Sequence, residues 1–454
     1  MQFAGNWKIP LIIFLIALAV RISFLPFSIF DEGHFSPEAV AFDGYYELSE
    51  NILAGNGFTR SSEAPFVPDS VRTPLYPYLL AGIALLFGNY EPIFFLQILL
   101  GSISTIFAWR IAREFLTPRA SIIVGVLSAV EPLTAYLTGT VMTETLFLFL
   151  FFPSVWLLIR FFDQQKLWTL ATASLLLGIA TLIKPTMQYA PILLIPLLIL
   201  IHGKNWKPLV FQSALFASIF VLILSPWMYR NYTTFGTTSL VVQPVSNLYA
   251  YLVPSTIAFE KGITYEEAAE EFFERENVGS IEDINLGNAV VFKERAVAEL
   301  KKHKKGFAMS AGMTIFAFFT HDTYATILDR SDIRMSFEHP PISTLLTRPI
   351  EAMRFALTLM QRPEAFVLIG RLFWIITALL SAYGVTRYTF INGISPKLLF
   401  VAGLVGYFAA TTIVIGLAVN GRFRVPIDPF IFVFTIFALQ SIFQKRPDRD
   451  EPIA

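Results

Sequence analysis

The chain contains no cysteine, which excludes a disulfide framework and thiolate chemistry and leaves redox usage silent about its compartment. Its five histidines, His34, His202, His303, His321 and His339, form no metal-ligand spacing. Charge is scarce as well. Asp, Glu, Lys and Arg make up 15% of the residues, and 34 basic side chains balance 34 acidic ones. A chain with no basic excess offers no electrostatic footprint for nucleic acid. There is no internal repeat, low-complexity tract or long linker. What the chain has instead is apolar sequence: 55% hydrophobic residues, 45 of them Phe, and a mean hydropathy of +0.59. A soluble protein of this length carries more charge and fewer apolar runs.

Runs approaching or reaching the roughly 17–25 residues needed to cross a bilayer fall at 9–30, 93–111, 120–138, 143–162, 167–183, 187–201, 208–228, 366–386, 396–418 and 425–443. The run 187–201 is the weakest, being short and holding Pro191 and Pro196. Two further runs, 74–87 and 306–319, have the length of interfacial or re-entrant segments rather than spans. The opening "MQFAGNWKIPLIIFLIALAVRISFLPFSIF" has no small-residue cleavage site after its apolar run, so it reads as a retained first helix. Loop charge tests the division. With a cytoplasmic N-terminus and 74–87 not crossing, the inner segments collect Lys8, Arg110, Arg113, Arg119, Arg160, Lys166, Lys204, Lys207, Arg387 and Lys397, the bias expected of cytoplasmic loops. The pattern predicts an all-α polytopic membrane protein of about ten transmembrane helices with interfacial helices in the first outer loop. A pair of extra crossings within 306–360 would keep the parity and make about twelve. The basic cluster "KKHKK" at 301–305 falls outside in this scheme and reads as a headgroup anchor.

Three parts follow. Residues 1–235 form an N-terminal transmembrane module whose outer loop is 31–92, residues 236–365 form a second outer region with interfacial helices, and residues 366–454 bring the last helices and a cytoplasmic tail. The second region holds an acidic helical stretch, "TYEEAAEEFFERE". The first loop is acidic too. "SPEAVAFDGYYELSENILAGNG" carries a helix start at Ser36 and Pro37 and a stop at Gly55, predicting a helix over 37–54. On such a helix Asp43, Glu47 and Glu50 share a face, while Tyr45, Leu48 and Ile52 lie on another, toward the membrane. Gly44 would leave space beside Asp43 for a substrate. Composition alone makes this a solvated amphipathic helix resting on headgroups. Arg72, opening "RTPLYPYLLAGIALLFG", and Glu144, beginning a span on the same outer side, turn the acids into a site hypothesis, because ionisable groups gathered at a membrane boundary mark function.

The order of motifs is an acid in a Tyr-rich segment after the first span, "GNGF", "RTPLYPYLLAG", "TGTVMTETLF", "KPT", "SPWMYRNYTTFG" and "GRFRVPIDPF" before the last span. This resembles the GT-C superfamily of polyprenyl-phosphate-sugar-dependent glycosyltransferases, in particular bacterial relatives of protein O-mannosyltransferases and of the lipid A aminoarabinose transferase. The likeness covers most of 1–235 and 420–440 and leaves 236–365 unmatched. It implies a GT-C helical bundle and an inverting transferase of the bacterial cytoplasmic membrane. Such an enzyme moves a sugar from a polyprenyl (undecaprenyl)-phosphate donor to an acceptor hydroxyl on a protein, lipid or polysaccharide, on the outer, periplasmic side. It places the catalytic acids at Asp43 and Glu144, with Asp31–Glu32 as rivals of Asp43. It places substrate and phosphate contacts at Arg72, Tyr76, Lys184, Arg230, Arg422 and Arg424. No cofactor is implied. Some relatives hold a divalent cation on first-loop acids, and Asp31, Glu32, Asp43 and Glu47 leave that open here without predicting it.

The chemistry suits these residue types. Inverting transfer needs a carboxylate within hydrogen-bond reach of the attacking hydroxyl. The departing phosphate needs no acid but does need cations that hold it better as charge develops, and the planar guanidinium fork is fitted to that. The competing readings are a transporter or flippase of lipid-linked saccharides and an inactive scaffold of envelope assembly. Against the first, transporters show related halves with broken helices at the midplane, whereas here the charges cluster at outer span ends.

Overall fold

A computed structural model describes residues 7–27, 43–277, 281–322, 349–362 and 365–443, together with Tyr324 and the two-residue strands Phe30–Asp31 and His34–Phe35, which pair antiparallel. Everything else regular among these residues is helical. The helices begin where the sequence supplies a cap. Thr117 accepts from the Ala120 amide ahead of Pro118–Val130, and Ser395 does the same for Leu398 ahead of Pro396–Thr412, each with Pro at the first helical position. Thr264 and Glu267 form a reciprocal capping box at the start of Tyr265–Glu276, so the acidic stretch is a helix as its sequence predicts.

Seven helices among the described residues are long and apolar enough to cross a membrane: Pro92–Ala112, Glu144–Gln164, Pro185–His202, Trp206–Phe235, Val367–Asn392, Pro396–Ala418 and Val425–Phe443. Leu75–Phe87, Pro118–Val130 and Leu167–Ile183 are shorter apolar helices, and Lys8–Phe24 packs against Pro92–Ala112 and Pro118–Val130. The protein is thus a multi-pass helical bundle. The run expected as one span over 120–138 is divided. Pro132 has no amide to donate, Glu131 becomes extended before it, and its carboxylate caps the next helix by accepting from the Leu133 and Thr134 amides. The first-loop helix is also shorter than predicted. It runs Tyr45–Leu53, because Gly44 adopts φ +72° and interrupts any helical path from Asp43. The cap expected at Ser36 lies outside the described residues. Asp43 therefore does not share a helix face with Glu47 and Glu50. Tyr45 and Leu48 are buried in the protein rather than facing lipid.

The core is centred on Glu144–Gln164, which packs on Leu167–Ile183 and Pro92–Ala112, with Trp206–Phe235 outside Leu167–Ile183. A smaller separate core, including Val242, Tyr249, Ile257, Phe272 and Ala296, belongs to the second outer region. The Ala365–Asn392 and Asp428–Phe443 helices lie so close that a Cβ on Gly384 would meet the Phe434 carbonyl oxygen at 2.0 Å, whereas one on Gly403 would meet only Leu193 Cδ2 at 3.7 Å. Alanine improves helix propensity at both positions by about 1 kcal/mol relative to glycine. Gly403→Ala is therefore expected to hold or raise the melting temperature in detergent. Gly384→Ala is expected to lower it, overpacking against backbone costing about 1–3 kcal/mol.

Candidate active site

The loop leading into the Leu75–Phe87 helix is organised by Asp69. Its Oδ1 accepts from the Val71 and Arg72 amides at 2.9 Å each, and its Oδ2 accepts from Arg60 Nε at 2.6 Å. This turn aims Arg72 at the segment before Tyr45. Arg72 Nε donates to the Asp43 carbonyl at 2.8 Å, its Nη2 lies 3.3 Å from Asp43 Oδ1, and its guanidinium sits over the Tyr45 ring. A close approach by Arg60, 2.7 Å from where a Cβ would stand, also accounts for the glycine at 44, in place of the open space expected there.

The second guanidinium comes from the far end of the chain. After Pro396–Thr412 the backbone breaks into short 3-10 turns, with Gly416 at φ +55°. A Cβ on that glycine would meet Ser255 Oγ at 2.4 Å. Asn420 caps the next turn by accepting from the Arg422 amide, and Arg422 Nη1 reaches Asp43 Oδ2 at 3.1 Å. Each oxygen of Asp43 thus faces a different arginine. Alongside, Lys184 ends the Leu167–Ile183 helix in an extended conformation before Pro185, and its Nζ donates to Glu144 Oε1 at 2.8 Å. Glu144 opens its helix and is buried, with Oε2 making no hydrogen bond among the described residues.

These five residues line one cavity of about 240 Å³ with Tyr45, Thr143, Gln188, Gln243, Asn247 and the apolar Phe408, Ile415 and Phe423. Burial would push the Asp43 carboxyl up, but the charges of Arg422, then Arg72, then Lys184 outweigh it and hold it below the ordinary carboxylate range. Burial likewise works against the Arg422 charge, and Asp43 and Glu144 overcome it, leaving the guanidinium more firmly protonated than usual.

Three predicted contacts do not reach the cavity. Arg424 is fully buried on the other side of its turn. Its Nε donates to Asp428 Oδ1 at 2.8 Å, its Nη1 donates to the His321 carbonyl at 2.7 Å, and its guanidinium lies 3.4 Å from the Trp374 ring centre. It is a structural ion pair, not a phosphate ligand. Arg230 is packed among Trp227, Phe58 and Phe235, and donates to the Asp69 carbonyl at 2.9 Å, so it props the Arg72 turn from behind. Tyr76 is buried behind Tyr45, ring centres 5.1 Å apart, and donates to Gln97 Oε1 at 2.9 Å. Gln97 in turn donates to the Thr138 and Thr140 carbonyls, fixing the segment that leads to Glu144. Sequence reasoning missed Thr143, Gln188, Gln243 and Asn247 as lining residues. Thr143 stands inside the quoted "TGTVMTETLF" and Gln188 two residues past "KPT", whereas nothing in the local pattern marks Gln243 and Asn247.

Glu32 lies outside the described residues, and nothing is described of the Asp31 side chain. Among the described residues no group of three His, Asp or Glu side chains could hold a metal ion, and Asp43, with an arginine on each oxygen, does not fit as a cation ligand. Lys301, Lys302, Lys304 and Lys305 of the basic cluster are exposed at the junction of the Ala289–Lys302 and Lys304–Thr320 helices and do not line the cavity.

Comparison with known proteins agrees with the motif order. Residues 71–229 match the family model of dolichyl-phosphate-mannose-protein mannosyltransferases, a stretch that includes Arg72, Glu144 and Lys184 but neither Asp43 nor Arg422. Among solved structures, the archaeal oligosaccharyltransferase AglB from Archaeoglobus fulgidus, in complex with an inhibitory peptide and a dolichol-phosphate, aligns with TM-score 0.52 at 14% identity over 98% of this chain and 51% of that one. The apo form of the oligosaccharyltransferase from the same organism aligns with TM-score 0.54 at 16% identity, covering 97% and 51%. ArnT from Cupriavidus metallidurans bound to undecaprenyl phosphate aligns more loosely, with TM-score 0.42 at 13% identity, covering 91% and 77%. No curated protein matches by sequence. The chain shares its helical-bundle fold with these archaeal oligosaccharyltransferases. The chain spans about half the length of the archaeal enzymes it aligns with.

Arg424→Met strands Asp428 as a buried charge, a loss of about 3–5 kcal/mol, which the double change Arg424→Met with Asp428→Leu largely restores. Thermal unfolding in detergent reads both, and Arg422→Met remains folded. Asp43 has a depressed carboxyl pKa, so its ion pairs contribute stability above the unfolded value of about 3.9 and lose it as pH falls through the lower folded value. The melting-temperature gap between wild type and Asp43→Asn is therefore flat from about pH 5 to 8 and closes only below about pH 4.

Proposed function

We propose that this protein is an inverting glycosyltransferase. It moves a sugar from a polyprenyl (undecaprenyl)-phosphate donor to an acceptor hydroxyl at the outer face of the bacterial cytoplasmic membrane. The observation that carries the proposal is the convergence of Asp43, Arg72, Glu144, Lys184 and Arg422 on one cavity from four separated parts of the chain. The dolichol-phosphate carried by the aligned archaeal enzyme is a ligand of the same chemistry.

In the resting site Asp43 is a weak base, because two guanidinium charges hold its proton affinity down. A donor phosphodiester supplies the anion that Arg72, Arg422 and Lys184 would otherwise share with the carboxylates. As the arginines turn to the phosphate, their hold on Asp43 relaxes while its partial burial persists, and the carboxyl rises toward the range useful to a general base. The acceptor oxygen then bonds to the anomeric carbon from the face opposite the phosphate. Its proton passes to Asp43, and the bond from that carbon to the phosphate oxygen breaks. The charge developing on the departing polyprenyl phosphate falls on preorganised guanidiniums. Glu144 holds Lys184 in place through the ion pair at its Oε1. The apolar side chains of Phe408, Ile415 and Phe423 suit the first isoprene units.

The test is a transfer assay in detergent with polyprenyl-phosphate-linked sugars. Asp43→Asn is expected to lower the rate by about 10²–10⁴. Arg72→Ala and Arg422→Ala are each expected to lower it by about 10²–10³. Transfer by Asp43→Asn at the wild-type rate would end the mechanism.

A further inference from the structure

The charged residues of the cavity do not balance. Arg72, Lys184 and Arg422 supply three positive charges against the two carboxylates Asp43 and Glu144, leaving one positive charge in excess. A phosphodiester carries a single negative charge and closes the balance, so no charge remains in the cavity to pair with an ionised sugar. The rest of the polar lining is neutral. Thr411 and Thr412 give their hydroxyl protons to carbonyls of their own helix, at Tyr407 and Phe408. Gln188, Gln243 and Asn247 differ. Each lines the cavity half-buried, and none of their side chains makes a hydrogen bond among the described residues.

Gln243 and Asn247 stand one helical turn apart in the Gln243–Asn247 helix, so they share a face. That face is held at a set distance from the phosphate-directed arginine. The Val242 amide donates to the Ser70 carbonyl at 2.8 Å, two residues before Arg72, and Val242 is fully buried. The π-helical turn Leu248–Leu252 follows directly, a geometry that often accompanies functional sites. A carboxamide offers a donor and an acceptor together and no charge, which matches a sugar hydroxyl.

We infer that Gln243 and Asn247 form the subsite for the ring hydroxyls of the donor sugar, and that this sugar is uncharged, neither an amino sugar nor a uronic acid. The inference rests on the donor reading of the cavity given above.

The test compares two probes, bare polyprenyl phosphate and the same lipid phosphate carrying a neutral hexose, on wild type, Gln243→Leu and Asn247→Leu in detergent. Each substitution is expected to weaken the hexose-bearing lipid by up to about tenfold, as loss of a hydrogen-bonding partner does, and to leave bare polyprenyl phosphate unchanged. Wild type is expected to transfer from the neutral-hexose donor in preference to amino-sugar and uronate donors. Equal weakening of both lipids, or of neither, would overturn the subsite. Equal use of the charged donors would overturn the neutral-sugar assignment. Failure of wild type to bind either lipid would instead bring down the donor reading of the cavity, and this inference with it.

Discussion

The site depends on one carboxylate held between two guanidiniums. Arg72 and Arg422 reach the opposite oxygens of Asp43, and the bond to Arg422 joins residues 379 positions apart in sequence. A lone carboxylate in a partly buried cavity would take up a proton, and a lone guanidinium would be expensive to bury. Together they stay charged, and the arrangement ties the first outer loop to the turn before the last helix. The pair also stores what an incoming phosphate would need, namely positive charge already oriented and already stripped of much of its water.

Around this centre the protein separates charges by function. Arg422 and Arg424 are two residues apart on a tight turn, yet one faces a cavity and the other is sealed against Asp428, Trp374 and backbone carbonyls. Arg230 and Tyr76, although polar and close by, are consumed in holding the loops that carry Arg72 and Glu144. The Arg72 and Glu144 segments of the cavity are therefore each backed by residues whose own hydrogen bonds are already spent. Such backing is what keeps a charge cluster in one geometry.

Much of this was legible beforehand. Apolar length predicts long helices: the runs 93–111, 143–162 and 396–418 fall on Pro92–Ala112, Glu144–Gln164 and Pro396–Ala418, whereas the run 208–228 stops short of the helix end at Phe235. The order of the motifs pointed to Asp43, Arg72, Glu144 and Lys184 as neighbours, and they are. At two places the folded chain departs from its local pattern for physical reasons. A helical Gly44 would leave space beside Asp43, but its positive φ bars the helix from extending back to Asp43, and its missing side chain makes way for Arg60. The motif "GRFRVP" marks its two arginines alike, but Asp428 stands four residues beyond Arg424 and supplies the i,i+4 partner that takes it out of the cavity. Gln243 and Asn247 carried no signal, because a neutral amide in a short helix looks the same whether it faces water or a cavity.

The class of molecule, a multi-pass bundle of apolar helices, is already written in the chain, because apolar runs of that length admit few other arrangements. Tertiary structure alone decided which charges meet. A run of hydrophobic residues is sorted by its own composition. An ionisable side chain is sorted by the partner it finds, and for Asp43 that partner arrives from the other end of the chain.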